Sequence, residues 1–111
     1  MLNPSINDVV CHAIPSEKEI LKDGDIINLD ITLEKKWLIA DSSKTYLIGN
    51  VSLSARRLVD TTYEALWKGI AQVKPGAKLG DIGYAIERPC EKEWVHCCEG
   101  VLRAWNWKRN A

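Results

Sequence analysis

Neither sign of charge is in excess in this 111-residue chain. Lys and Arg number 15, Asp and Glu 15, and the formal net charge is +0. Nothing in that balance calls for a nucleic-acid or anionic-membrane partner. No apolar run approaches the roughly 18 residues a membrane-spanning helix needs, and no signal peptide opens the chain. The cytoplasm is therefore the expected location. A disulfide framework is missing too, because Cys11 stands alone while Cys90, Cys97 and Cys98 crowd the end. There is no internal repeat and no low-complexity stretch. A chain this short makes one domain at most, and it buries about two-thirds of its unfolded surface only if its core is complete.

What is present is patterned. Ile27, Leu29, Ile31 and Leu33 alternate with Asn28, Asp30 and Thr32, the period of a strand with one apolar and one polar face. Lys35-Lys36 marks a turn, and Trp37 to Ile48 reads as the returning strand of a hairpin. Two such strands can set Asp30 and Asp41, eleven positions apart, side by side. Carboxylates that close repel, and a divalent cation between them is a natural compensation. An Asp in a strand also fits a solvated face or a Lys or Arg partner, so the spacing alone leaves both readings open.

The remaining order is one strand ahead of the hairpin, then helix, turn and helix. Ser52 to Val73 carries Leu58, Ala65, Leu66, Ile70 and Val73 among Arg56, Arg57, Asp60, Glu64 and Lys68, an amphipathic helix. Pro75-Gly76 ends it, and Leu79, Ile82, Ala85 and Ile86 mark a second helix. Core packing explains both.

Four stretches in order carry a resemblance: Ser5-Ile6-Asn7-Asp8-Val9-Val10-Cys11-His12-Ala13-Ile14-Pro15, then Lys22-Asp23-Gly24-Asp25-Ile26-Ile27-Asn28-Leu29-Asp30, then Asp41-Ser42-Ser43-Lys44, then Val73-Lys74-Pro75-Gly76. From Pro4 to about Arg88 the chain resembles the type I methionine aminopeptidases. The resemblance implies an α+β chain forming an incomplete first half of the pita-bread (creatinase/aminopeptidase) fold. It also implies a metallo-exopeptidase that removes the N-terminal methionine from peptides or nascent chains. Two divalent ions (Co, Mn, Fe or Zn) would serve an intact site. Asp30 would chelate one metal, Asp41 would bridge both, and His12 would contact the substrate beside the scissile bond. Ala13 and Ala40 stand where that family usually has Gly, whose backbone reaches conformations Ala avoids. The family's later His and two Glu ligands, and the segment that precedes Pro4, have no counterpart in the chain as written. An inactive, truncated form is the expectation, with a non-catalytic peptide-binding module of the same fold as the alternative.

Residues 89–111 depart from that text. Three of the five tryptophans, Trp94, Trp105 and Trp107, fall within fourteen residues. A zinc site from Cys90, His96, Cys97 and Cys98 would need a loop between the adjacent cysteines, and an aromatic surface for stacking bases would need a basic stripe. Codons give a third reading. Tryptophan has only TGG, so reading one base later turns all three into glycine. With permitted codons Arg103 to Trp107 then spells Gly-His-Gly-Ile-Gly, and Trp94 to Cys98 spells Gly-Phe-Ile-Val-Val, both resembling the family at this point. The expected division is 1–88 as the aminopeptidase-like half and 89–111 as an out-of-frame tail.

Overall fold

The computed structural model describes residues 1–93 and 95. Its order is β1 (Leu2–Ile6), β2 (Ile26–Lys35), β3 (Leu38–Leu47), α1 (Leu53–Ile70) and α2 (Leu79–Lys92). Met1–Arg56 and the residues from Arg57 onward are separate compact units. The zinc and base-stacking readings, and the codon strings, lie outside the described residues apart from Cys90 and Val95.

The first unit is a three-stranded antiparallel sheet in the order β1-β2-β3. Thr32 N donates to Met1 O and Asn7 N to Ile26 O, so the even residues of β2 bond towards β1 and its odd residues towards β3. Pro4 is even, and its missing N–H falls on the outer side of β1. That is where an edge strand tolerates proline.

The hairpin turn is Lys36-Trp37, with Lys35 opposite Leu38, one residue later than the sequence suggests. Lys36 has φ 60 and Trp37 is not among the positive-φ residues, which fits the two-residue turn that curves with the strand twist.

Behind the sheet, Asp25 ties the chain entering β2 to the end of β1. Asn7 Nδ2 donates to Asp25 Oδ1 at 2.9 Å, Lys22 N donates to Asp25 Oδ2 at 2.8 Å, and Ile26 N donates to Asn7 Oδ1 at 3.1 Å. The Asn7 amide, and after it the Lys22 N–H, hold the Asp25 carboxyl below its ordinary value. Because the folded value is depressed, this contribution is present above the unfolded pKa of about 3.9 and is lost as pH falls through the folded value. An acid titration of the melting temperature is expected to show a drop below about pH 4 that Asp25→Asn flattens.

Gly49, at φ +62, closes the far end of the hairpin. A Cβ there would collide with Asp23 Oδ1, while Asp23 Oδ1 accepts from Asn50 N at 3.0 Å. Gly49→Ala therefore meets both an unfavourable φ and a carboxylate held in place. It is expected to destabilise the chain by about 1–3 kcal/mol in a denaturant titration.

In α1, Ser52 Oγ accepts from Ala55 N at 3.1 Å and caps the helix. The helix ends at Ile70 rather than Val73, because Gln72 N and Val73 N bond three residues back, to Gly69 O and Ile70 O. The buried face of α1 is Thr61, Ala65 and Gly69, a small-residue stripe with helical spacing that the larger apolar residues did not signal. Lys78 N donates to Asp81 Oδ2 at 2.9 Å at the start of α2, half of a capping box. α2 crosses the expected 88/89 division, running through Pro89 to Lys92, and Pro89 and Cys90 are buried. Pro89 removes one hydrogen bond from the helix interior.

Candidate metal centre

Alternation puts Asn28, Asp30 and Thr32 of β2 on one face. The register puts Thr45, Ser43 and Asp41 of β3 opposite them, and Ser5 and Asn3 of β1 opposite Asn28 and Asp30. The result is a polar surface running across all three strands. The other face carries Ile27, Leu29, Ile31 and Leu33.

Asp30 and Asp41 share the polar face but are not directly opposite. Asp30 faces Ser43, and Asp41 faces Thr32. A turn at Lys35-Lys36 would have set the two carboxylates against each other. The turn one residue later moves Asp41 by two positions, which keeps it on the same face and makes the pair diagonal neighbours. Diagonal Cβ atoms lie somewhat under about 7–8 Å apart. That spacing relieves the repulsion of directly opposed carboxylates and leaves room for a cation between them.

Hydroxyl and amide groups order this face. Thr32 Oγ1 donates to Asp41 Oδ1 at 3.1 Å, fixing one oxygen of the carboxylate. Ser43 Oγ donates to Asn28 Oδ1 at 3.0 Å, and Asn28 Nδ2 donates to Thr45 Oγ1 at 3.1 Å. These bonds leave the Asp30 carboxylate free among the described residues. Asp30 is half-buried and Asp41 exposed. The Ser5 hydroxyl is buried without a hydrogen-bond partner, on the strand position opposite Asn28.

The sequence pattern put Asp30 on the polar face of its strand and gave Thr32, Ser43 and Thr45 no role of their own. The signal for them was the same two-residue alternation, read on β3 as well as β2.

His12 lies on the loop between β1 and β2, exposed, with φ 57. No group of three or more His, Cys, Asp or Glu side chains forms among the described residues, so His12 does not join Asp30 and Asp41 in a ligand cluster. Two hard carboxylate oxygens on one face fit part of a divalent-cation site. They do not complete one.

No described helix is long and apolar enough to cross a membrane. Metallopeptidase family M24 matches residues 3–104, a span that includes the stretch from Pro89 to Ala104. Methionine aminopeptidase B of Synechocystis sp. is 56% identical over 87 residues, which are 78% of this chain and 32% of that protein. The crystal structure of methionine aminopeptidase from Rickettsia prowazekii superposes with a TM-score of 0.77 at 50% identity, covering 82% of this chain and 36% of that one. That of Thermotoga maritima gives a TM-score of 0.79 at 33% identity, covering 82% and 36%. The chain thus spans about one third of the length of the relatives it matches. Its α+β fold is part of the pita-bread fold of those enzymes, and the chain belongs to metallopeptidase family M24.

Proposed function

We propose that this chain carries the two-aspartate strand pair of a methionine aminopeptidase, whose divalent ions Asp30 and Asp41 would help to hold. The observation that carries the reading is the placement of both carboxylates on one face of β2 and β3, with Thr32 holding one oxygen of Asp41. The site's metal would be Co, Mn, Fe or Zn, and it would supply a water-derived nucleophile near neutral pH. The protein's part is positional. Asp30 and Asp41 hold the cations, Thr32 fixes the Asp41 carboxylate, and His12 on its exposed loop contacts the peptide beside the scissile bond. The substrates are peptides and nascent chains that begin with methionine, and the setting is the cytoplasm. The relatives' name and the shared fold support this substrate class.

The proposal includes the tail. Two carboxylates without the later His and Glu ligands make a weak site that lacks a general base, and residues 89–111 read as out of frame. The three tryptophans that a one-base shift forces to glycine support this. Sequencing the gene with its downstream DNA, then expressing the frame-restored product, tests the reading. One extra base near codon 89 is expected, followed after its removal by an open frame past codon 111, and the product should release methionine from a Met-Ala-Ser peptide. A stop within a few shifted codons would remove the frame account; an intact frame whose product, loaded with Mn or Co, releases nothing would remove the activity.

A further inference from the structure

The loop that carries His12 joins β1 to β2 and runs from Asn7 to Asp25. The metal site uses neither end residue. Between Val9 and Lys22 the hydrogen bonds among the described residues are local: Val9 N donates to Ile6 O at 3.1 Å, Glu19 N to Ser16 O at 3.2 Å and Lys18 N to Ser16 Oγ at 3.2 Å. The fastening of the loop lies at its two ends.

At the far end the backbone of Asp25 is tied to the exit of β3. Ile48 N donates to Asp25 O at 2.9 Å, and the adjacent Gly24 N donates to Ile48 O at 2.8 Å. The Asp25 carboxylate then reaches in two directions, accepting from Asn7 Nδ2 through Oδ1 and from Lys22 N through Oδ2. Asn7 closes the ring, because its Oδ1 accepts from Ile26 N while its own N donates to Ile26 O. Asn7 sits at φ 52, a left-handed turn that Asn and Asp tolerate better than other side chains with a Cβ. The chain therefore leaves β1 towards His12 in a direction fixed by this clasp.

We infer that Asp25 is a positioning residue for His12: with Asn7 it clasps the two ends of the loop and so sets where the imidazole is presented. The inference deepens the function proposed above and rests on its substrate role for His12. An ionised carboxylate suits the post, since it accepts twice and its bonds are roughly twice as strong as those of a neutral acceptor. A neutral amide has one acceptor for the same two donors.

Exchange of the two side chains provides the test. Asp25→Asn loses one of the two bonds, and Asn7→Asp sets two carboxylates at hydrogen-bond distance, where they repel. Made together, the substitutions restore every bond, with the amide at 25 donating to the carboxylate at 7 and accepting from Lys22 N. In the 111-residue chain, backbone order parameters of residues 9–14 should fall in each single variant from near about 0.85 to below about 0.6, and return in the exchanged pair. Residues 30–32 and 41–45 should keep theirs throughout, which a general loss of stability would not produce. Unchanged order in both single variants would overturn the inference, and so would an exchanged pair as loose as the singles. In the frame-restored protein, Asp25→Asn should lower kcat/KM for Met-Ala-Ser about tenfold or more, and should cost nothing further once His12→Ala has been made. An equal loss in both backgrounds would overturn the positioning role. If His12→Ala has no effect while loop order follows the exchange, the clasp stands and the substrate role of His12 is what fails.

Discussion

The purified 111-residue chain is expected to release no methionine from a Met-Ala-Ser peptide, with or without added Mn or Co. Glu34 of β2 shares the polar face with Asp30 and Asp41, yet among the described residues no three His, Cys, Asp or Glu side chains form a group that could hold a metal ion. A catalytic divalent ion takes about four to six ligands with one position open to water, and two carboxylates leave most of that shell to water. A correctly placed general base is worth about 10²–10⁴-fold in its own right, and the further carboxylate on that face is Glu34, two positions along β2 from Thr32 and opposite Ile39. Turnover above the buffer blank that needs added metal and disappears in Asp30→Ala and Asp41→Ala would contradict the expectation. A signal that survives both substitutions would mark a contaminating peptidase.

In the frame-restored protein the same two substitutions are expected to have the opposite meaning. Removing an outer partner of a metal ligand commonly costs about 10–100-fold in metal affinity or activity, so deleting a ligand should cost more than about 100-fold. Asp41→Ala should be the more severe of the two, because in the proposed site Asp41 would serve both ions, and it also strips Thr32 Oγ1 of its acceptor. Thr32→Val supplies the graded comparison: it keeps the branched strand shape and removes only the hydroxyl that orders Asp41. Methionine release measured across metal concentration separates the cases. Loss that excess metal restores belongs to affinity, and loss that persists at saturation belongs to the geometry of the bound ions.

How much of this was legible in the sequence depends on the kind of signal. The alternation from Ile27 to Leu33 assigned Asp30 to a polar face, and a strand's two-residue period leaves no other choice once the apolar set is fixed. The hairpin was legible as well. Its turn was not, because Lys35, Lys36 and Trp37 include no Gly, Asn or Asp to mark the position that needs a positive φ, and Lys36 adopts it. That one-residue difference decides whether the aspartates sit opposite or diagonal, so the detail that matters most to a bridging cation came from the register. The end of α1 was overrun by three residues, because Val73 continues the apolar pattern while the backbone has already tightened into a turn at Gly69 and Ile70. Ala65 belonged to the apolar pattern, but Thr61 and Gly69, which share its buried face, did not register because small residues contribute little to such a pattern. Cooperation among side chains, such as the Ser43–Asn28–Thr45 chain of bonds, has no sequence period of its own beyond the alternation that places its members on one face.

The most direct measurement of the central claim is a manganese titration of the 111-residue chain followed by paramagnetic broadening of its backbone amide signals. Binding through the two aspartates should broaden the signals of residues 30–32 and 41–43 first. It should be weak, with a dissociation constant of about 10⁻⁴–10⁻³ M for so sparse a ligand set, and either Asp30→Asn or Asp41→Asn should abolish the selective broadening while leaving the rest of the spectrum unchanged. Broadening centred elsewhere, or selective broadening that persists undiminished in both variants, would contradict the assignment of these two carboxylates to a metal.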